Sequence, residues 1–340
     1  MDDKEFWKNE RVAFLALSSV KGVGFWSLHK IADAEGSFKD ALKDPEPYGL
    51  EKCLMAAGYA GVPGQELLWS EGLSLARTLA QQGIRLLFRR EPGFPQKLKE
   101  IPDAPEWIFI QGAIENLSSP AVTVVGTRKP SDDGLFLTRY ALACLAELRC
   151  VTVSGLALGI DQLAHAESIR YGLPTIAVLG TGILQNYPRG SEGMREAILA
   201  AGGSIVSEYL PHQSYSAESF VRRNRLQAAL GDVLIPTEWN IKSGTAHTVK
   251  NASKYSKAII NLYLPFTFNA RPELVFSATE YSASSIEVPT STAALITLLK
   301  ARVMGWVDES DSSAELLGHE NQVVAVDVEA EPDSGQLPLL

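Results

Sequence analysis

The chain has 340 residues, 46% of them hydrophobic, with 31 Lys and Arg against 40 Asp and Glu. That length supports two or three domains with real cores, and no apolar run reaches bilayer-spanning length. The charged start MDDKEFWKNE does not suit a secretory signal. Cys53, Cys144 and Cys150 are odd in number and lack metal-ligand spacing, so they read as free thiols of a reducing cytoplasm.

The net charge of −9 is unevenly spread. Nine acidic residues and no Lys or Arg lie between Asp308 and Leu340, which leaves 31 acidic groups against 31 basic ones in residues 1–307. A neutral body can hold a polyanion only at a local basic site, because charges beyond roughly 10 Å are screened. Arg222, Arg223, Arg225, Lys242, Lys250, Lys254 and Lys257 supply one such concentration, against only Glu218, Asp232 and Glu238.

Residues near 10–84 read as helical, and Val12, Leu15, Leu17 and Val20 lead into Lys21-Gly22-Val23-Gly24. That Gly-x-Gly turn fits either a helix-hairpin-helix, whose amides hold phosphate, or a plain helix pair with glycine C-caps. A second pair is expected over Leu50–Gly58 and Glu66–Gln82. Ile84–Arg89 and Trp107–Ile110 read as strands, joined by a turn-rich connector.

From Ala121 strands and helices alternate. Strands are expected at Ala121–Val125, Val151–Val153, Thr175–Leu179, Ser204–Ser207, Val233–Thr237 and Ala258–Leu264. Helices are expected between them at Gly134–Leu148, Ile160–Tyr171, Glu192–Ala201, Phe220–Leu230 and Ala246–Ser256. The alternation predicts an α/β fold with a parallel sheet and right-handed crossovers. Leu274–Ser277 is read as a strand, Thr292–Ala301 as a helix, and the acidic stretch from Asp308 as a mobile tail with Val323–Val328 as a candidate short strand.

Three apolar runs end at Gly126, Gly155 and Gly180, each followed by a polar loop and a helix. Ligands of parallel sheets bind at such strand ends, where helix N-termini offer free N–H groups. Gly126, Thr127, Arg128 and Lys129, with Ser154 and Gly155, therefore read as a phosphate-binding ledge. In this reading Arg128 clamps a phosphate and Ser154 donates a hydrogen bond to one. The ledge is neither GxGxxG nor a P-loop, which disfavours NAD and ATP. Asp161 and His165 read as structural. Phe220, Arg222, Arg223, Asn224 and Arg225, placed at a helix start, combine a base-stacking ring with phosphate-binding guanidiniums. Ser243-Gly244-Thr245 forms a second anion ledge. No catalytic triad, metal motif or cofactor signature is found, so no catalytic residue, metal or cofactor is assigned and the chain reads as a binder rather than an enzyme.

These residues resemble the DNA-processing protein A (DprA or Smf) family. The resemblance rests on Phe94-Pro95, VVGTRKPS, SGLALGIDQLAH, AVLGTGILQNYP, SEY, FVRRNRLQAAL and SGTAHT, in that order. It implies an extended Rossmann-like sheet with a small helical N-terminal domain. It also implies a cytoplasmic homodimer that binds single-stranded DNA, protects incoming strands in natural transformation and loads the recombinase RecA. By that resemblance Arg128, Ser154, Gly155, Phe220, Arg222, Arg223, Asn224 and Arg225 hold the strand, with Lys242 and Ser243 on the adjoining loop. Residues 1–83 would form the helical domain, 84–290 the DNA-binding domain, and 291–340 a helix and acidic tail in place of a winged helix. The usual SGLARGID arginine is Leu158 here, and SGTAHT stands where SGSLIT is common. Three alternatives accompany this reading: a nucleotide sensor, a phosphoribohydrolase-like enzyme, and a divergent relative serving defence against phage or plasmids.

Overall fold

The computed structural model describes residues 3–305, which belong to one compact unit. The acidic tail and the expected Val323–Val328 strand lie outside the described residues.

Five helices come first: α1 (Asp3–Ser19), α2 (Phe25–Asp33), α3 (Phe38–Lys43), α4 (Glu51–Ala56) and α5 (Gly61–Gln81). The Gly-x-Gly turn separates α1 from α2, with Gly22 at φ +96° and Gly24 at the N-cap. The buried Glu10 ties α1 to α3 by accepting hydrogen bonds from the Phe38 and Lys39 amides at 2.7 and 3.2 Å. In this way it satisfies first-turn donors that a helix cannot pair internally.

The strands β1 (Ile84–Phe88), β2 (Trp107–Gly112), β3 (Ala121–Gly126), β4 (Val151–Ser154), β5 (Thr175–Val178), β6 (Ser204–Ser207), β7 (Val233–Glu238), β8 (Ala258–Tyr263) and β9 (Ser284–Glu287) form one sheet. Their order is β1-β2-β6-β5-β4-β3-β7-β8-β9. Only β2 runs against the others, pairing antiparallel with β1 and β6. Between the strands lie α6 (Gln96–Lys99), α7 (Asp132–Ala146), α8 (Ile160–Arg170), α9 (Glu192–Ala200), α10 (Ala217–Leu230), α11 (Gly244–Lys254), α12 (Pro272–Tyr281) and, at the end, α13 (Thr292–Met304).

Both sheet faces are covered, which is why Ala121–Val125 of β3 is apolar except at Thr123, whose buried hydroxyl donates to the Gln227 carbonyl at 2.7 Å. Val122 and Val124 pack with Leu137, Leu142 and Leu145 of α7 and Leu295 and Leu299 of α13. Ala121, Val153, Ile176 and Val178 meet Leu226, Ala229 and Leu230 of α10 on the other side. The N-terminal helices share a cluster with Phe88, Trp107, Phe109, Ala177 and Ile205, so their apolar faces close against the sheet.

Two expectations are corrected. Leu274–Ser277 lies inside α12, where Pro272 opens the helix and the Ser277 hydroxyl bonds back to the Glu273 carbonyl at 2.7 Å. Three apolar residues followed by a serine have no period of their own, and proline at a first helical position decides it. Helix α10 starts at Ala217 rather than Phe220, because Ser216 and Ser219 close a reciprocal capping box.

The order of strands fixes where a ligand can enter. From β3 the chain steps outward through β4, β5 and β6, then returns to the far side of β3 and steps through β7, β8 and β9. Adjacent β3 and β7 thus send their connections in opposite directions, and such a switch point opens a crevice at the strands' carboxyl ends.

Candidate nucleic-acid interface

A cavity of about 590 Å³ lies at this crevice, lined by Gly126, Thr127, Arg128 and Lys129 after β3 and by Ser243, Gly244 and Thr245 after β7, with α10 as its side wall. The loop after β3 is held by backbone bonds: the Thr127 amide donates to the Glu238 carbonyl at 2.8 Å, and the Ile160 amide donates to the Thr127 carbonyl at 3.1 Å. Gly159, at φ +83°, permits this approach, since a Cβ there would come within 2.5 Å of the Thr127 carbonyl oxygen. Arg128 is exposed and makes no hydrogen bond or ion pair among the described residues; its guanidinium lies 5.4 Å from the Phe220 ring centre. At the facing wall the first turn of α11 carries no side-chain cap; the Ala246 amide donates to the Ser243 carbonyl at 3.1 Å, and the Gly244 and Thr245 amides have no partner among the described residues and can meet an anion.

Helix α10 presents Phe220, Arg223, Asn224 and Gln227 to the cavity, at i, i+3, i+4 and i+7. Asn224 donates to the Gly244 carbonyl at 3.0 Å, and the Thr245 hydroxyl donates to the Gly126 carbonyl at 3.0 Å, which ties the three walls together. Arg223 is buried and donates to the carbonyls of Gly155, at 2.7 Å, and Val178. Asp161 is its electrostatic partner. Burial pushes the Asp161 carboxyl up to about 6, while the Arg223 guanidinium and the Gly126 and Gly155 amides pull it back. A Cβ on Gly155 would sit 2.3 Å from Arg223 Nη1 and 2.5 Å from Asp161 Oδ2, so only glycine leaves room for the pair.

The structure divides the expected site residues. Gly126, Thr127, Arg128, Lys129, Phe220, Arg223, Asn224 and Ser243 come together around one cavity. Gly155 stands behind it rather than on its surface. Ser154 is a correction: its buried hydroxyl donates to the Val124 carbonyl at 2.7 Å and does not face a ligand. Lys242 is exposed on the loop before α11 and outside the lining. Arg222 and Arg225 are further corrections, because both point away from the cavity. Arg225 is 4% exposed and grips Glu208 through two bonds of 2.6 Å. Arg222 lies 3.5 Å from Glu208, with its guanidinium 4.7 Å from the Trp26 ring centre and 5.3 Å from that of Phe25. Those contacts form the wall of a second cavity, of about 540 Å³. Sequence reasoning did not single out Glu208 or Gln227. Helical spacing from Phe220 would have found Gln227; nothing local marks Glu208 as the carboxylate that consumes a guanidinium.

The sequence profile of the family described as DNA recombination-mediator protein A matches residues 85–276. The chain belongs to this family. It is 32% identical to protein Smf of Synechocystis sp. over 262 residues, covering 75% of this chain and 65% of that protein. It is 35% identical to DNA processing protein DprA of Streptococcus pneumoniae over 166 residues, or 49% of this chain and 58% of the relative. The matches thus span less than two thirds of these relatives. Among solved structures, DNA processing protein A from Helicobacter pylori, described for its single-stranded DNA binding mode, superposes with a TM-score of 0.56 at 29% identity. That match covers 64% of this chain and 97% of that one. The Streptococcus pneumoniae DprA structure shares the fold with a TM-score of 0.57 at 22% identity, covering 86% of this chain and 98% of that one. The family match runs from β1 to the middle of α12, and so includes the whole lining of the switch-point cavity.

Among the described residues no helix is long and apolar enough to cross a membrane, no cluster of metal-ligating side chains is found, and the three cysteines carry no disulfide.

Proposed function

We propose that this chain binds single-stranded DNA in the switch-point cavity and acts as a recombination mediator without breaking bonds itself. The observation that carries the reading is the Arg128 guanidinium, without an ion-pair partner among the described residues, which shares a cavity with the N-terminus of α11 and with Phe220. A guanidinium and free amides suit phosphate, and an adjacent ring suits a base. The Helicobacter pylori relative, which is described for binding single-stranded DNA, supports it. By the same resemblance we propose that the chain works in the cytoplasm as a homodimer and hands its strand to RecA.

Titration of single- and double-stranded oligonucleotides at two salt concentrations tests the reading. Single strands are expected to bind more tightly, with affinity falling as salt rises. Arg128→Ala is expected to weaken binding at least about tenfold for every sequence, since a charge-assisted hydrogen bond contributes about 1.5–3 kcal/mol. It should also flatten the logarithmic salt slope by about 0.7, one released counterion on a single strand. Unchanged affinity in that variant, or equal binding of mononucleotides and oligonucleotides, would overturn it.

A further inference from the structure

Phe220, which lines the cavity, is joined by two further aromatic rings beside it. Tyr187 and Tyr215 lie 4.5 Å apart between ring centres, Tyr187 and Phe220 5.1 Å, and Tyr215 and Phe220 6.2 Å, with interplanar angles between 32° and 43°. None of them belongs to the four hydrophobic clusters of the core. Tyr215 is 57% exposed, and neither tyrosine hydroxyl bonds another described residue. The three ring centres form a compact triangle, and the Arg128 and Arg223 guanidiniums lie 5.4 and 5.9 Å from the Phe220 centre. Arg189, two residues after Tyr187 in the chain, is exposed and has no charge partner among the described residues.

An exposed tyrosine ring leaves apolar surface in water unless something covers it. The cover that fits a cluster of aromatic rings beside guanidiniums is a polymer alternating planar bases with phosphates. We propose that Tyr187 and Tyr215 extend the cavity into a base-stacking track, so that nucleotides leaving the phosphate ledge lie along the two rings. This rests on the reading of the cavity as a single-strand site and names how the strand continues beyond it. Stacking on aromatic rings tolerates any base and needs the bases unpaired. The track therefore selects single strands over duplexes without reading sequence.

The test uses the full chain and fluorescent oligonucleotides of increasing length at several salt concentrations. Tyr215→Ala is expected to lose roughly five- to 150-fold in affinity for oligonucleotides long enough to pass the ledge. Its salt slope should stay at the wild-type value, because no phosphate contact is removed, whereas Arg128→Ala changes the slope. Tyr215→Phe keeps the ring and should bind like wild type. Tyr215 is exposed, so an unchanged thermal midpoint is expected to show that the variant folds. Wild-type affinity in Tyr215→Ala at every length overturns the track, and so does loss of affinity in Tyr215→Phe or a changed salt slope. If the wild-type chain itself binds no oligonucleotide, the proposed function falls along with the track; if it binds and Tyr215→Ala binds equally, only the track falls.

Discussion

His165 shows how one side chain in the wall behind the site couples to pH. It is fully buried on α8, its Nδ1 pairs with the Thr175 hydroxyl at 2.8 Å, and its Nε2 has no partner among the described residues. Burial, aided by the Arg223 charge, drops its pKa to about 3, against about 6.5 in an unfolded chain. Between those values the unfolded state binds the proton and the folded state does not, so His165 costs stability as pH falls from 6.5 toward 3. Asp161, one turn earlier and raised to about 6, works the other way: the folded protein takes up its proton first, and stability is gained as pH falls from 6 to about 4. The two groups offset each other across that window. His165→Gln removes one side of the balance. The stability advantage of wild type over this variant, from urea unfolding at pH 6.5, 5 and 4, is expected to shrink by about 1.4 kcal/mol per pH unit. A constant difference would mean that His165 titrates normally.

Helix α10 sorts three consecutive-looking arginines into different jobs. Arg223 braces the cavity wall, Arg222 stacks on Phe25 and Trp26, and Arg225 neutralises the buried Glu208. Arg225→Ala leaves Glu208 with only the 3.5 Å approach of Arg222. Removing one partner of a buried pair costs about 3–5 kcal/mol, so this variant is expected to lose that much unfolding free energy in urea. Its oligonucleotide affinity, measured where it is still folded, should match wild type. A large loss of affinity with normal stability would place Arg225 in the site after all. The contrast marks what the sequence made legible. The helix, its cation cluster and the ledge at Gly126–Lys129 could be read from period, composition and glycine placement. Which arginine meets ligand and which meets carboxylate could not, because Glu208 lies 17 residues from Arg225 and reaches it only across the fold. The same holds for Ser154, whose hydroxyl is consumed by Val124 on the neighbouring strand.

The whole chain poses the question of how its helical beginning relates to its sheet. The change from helical to strand pattern near residue 84 is visible in the sequence, but not whether the helices close their apolar faces on each other or on the strands. In the structure Phe14 of α1 touches Trp107 with ring centres 4.8 Å apart and Phe88 at 5.7 Å, while Phe25 of α2 lies 5.1 Å from Trp107. Phe88, Trp107 and Phe109 are each almost wholly buried, and all three belong to the cluster that holds these helices. Burying such a side chain contributes roughly 1.5–3 kcal/mol. Uncovering three of them by deleting residues 1–83 removes about 5–9 kcal/mol, comparable with the whole stability of many domains, about 5–15 kcal/mol. The truncated chain, residues 84–340, is therefore expected to aggregate or to lose its cooperative thermal transition. A soluble fragment that unfolds cooperatively near the wild-type midpoint would show that the sheet carries a sufficient core of its own. The helices would then be an appended unit, free to serve a partner without supporting the cavity.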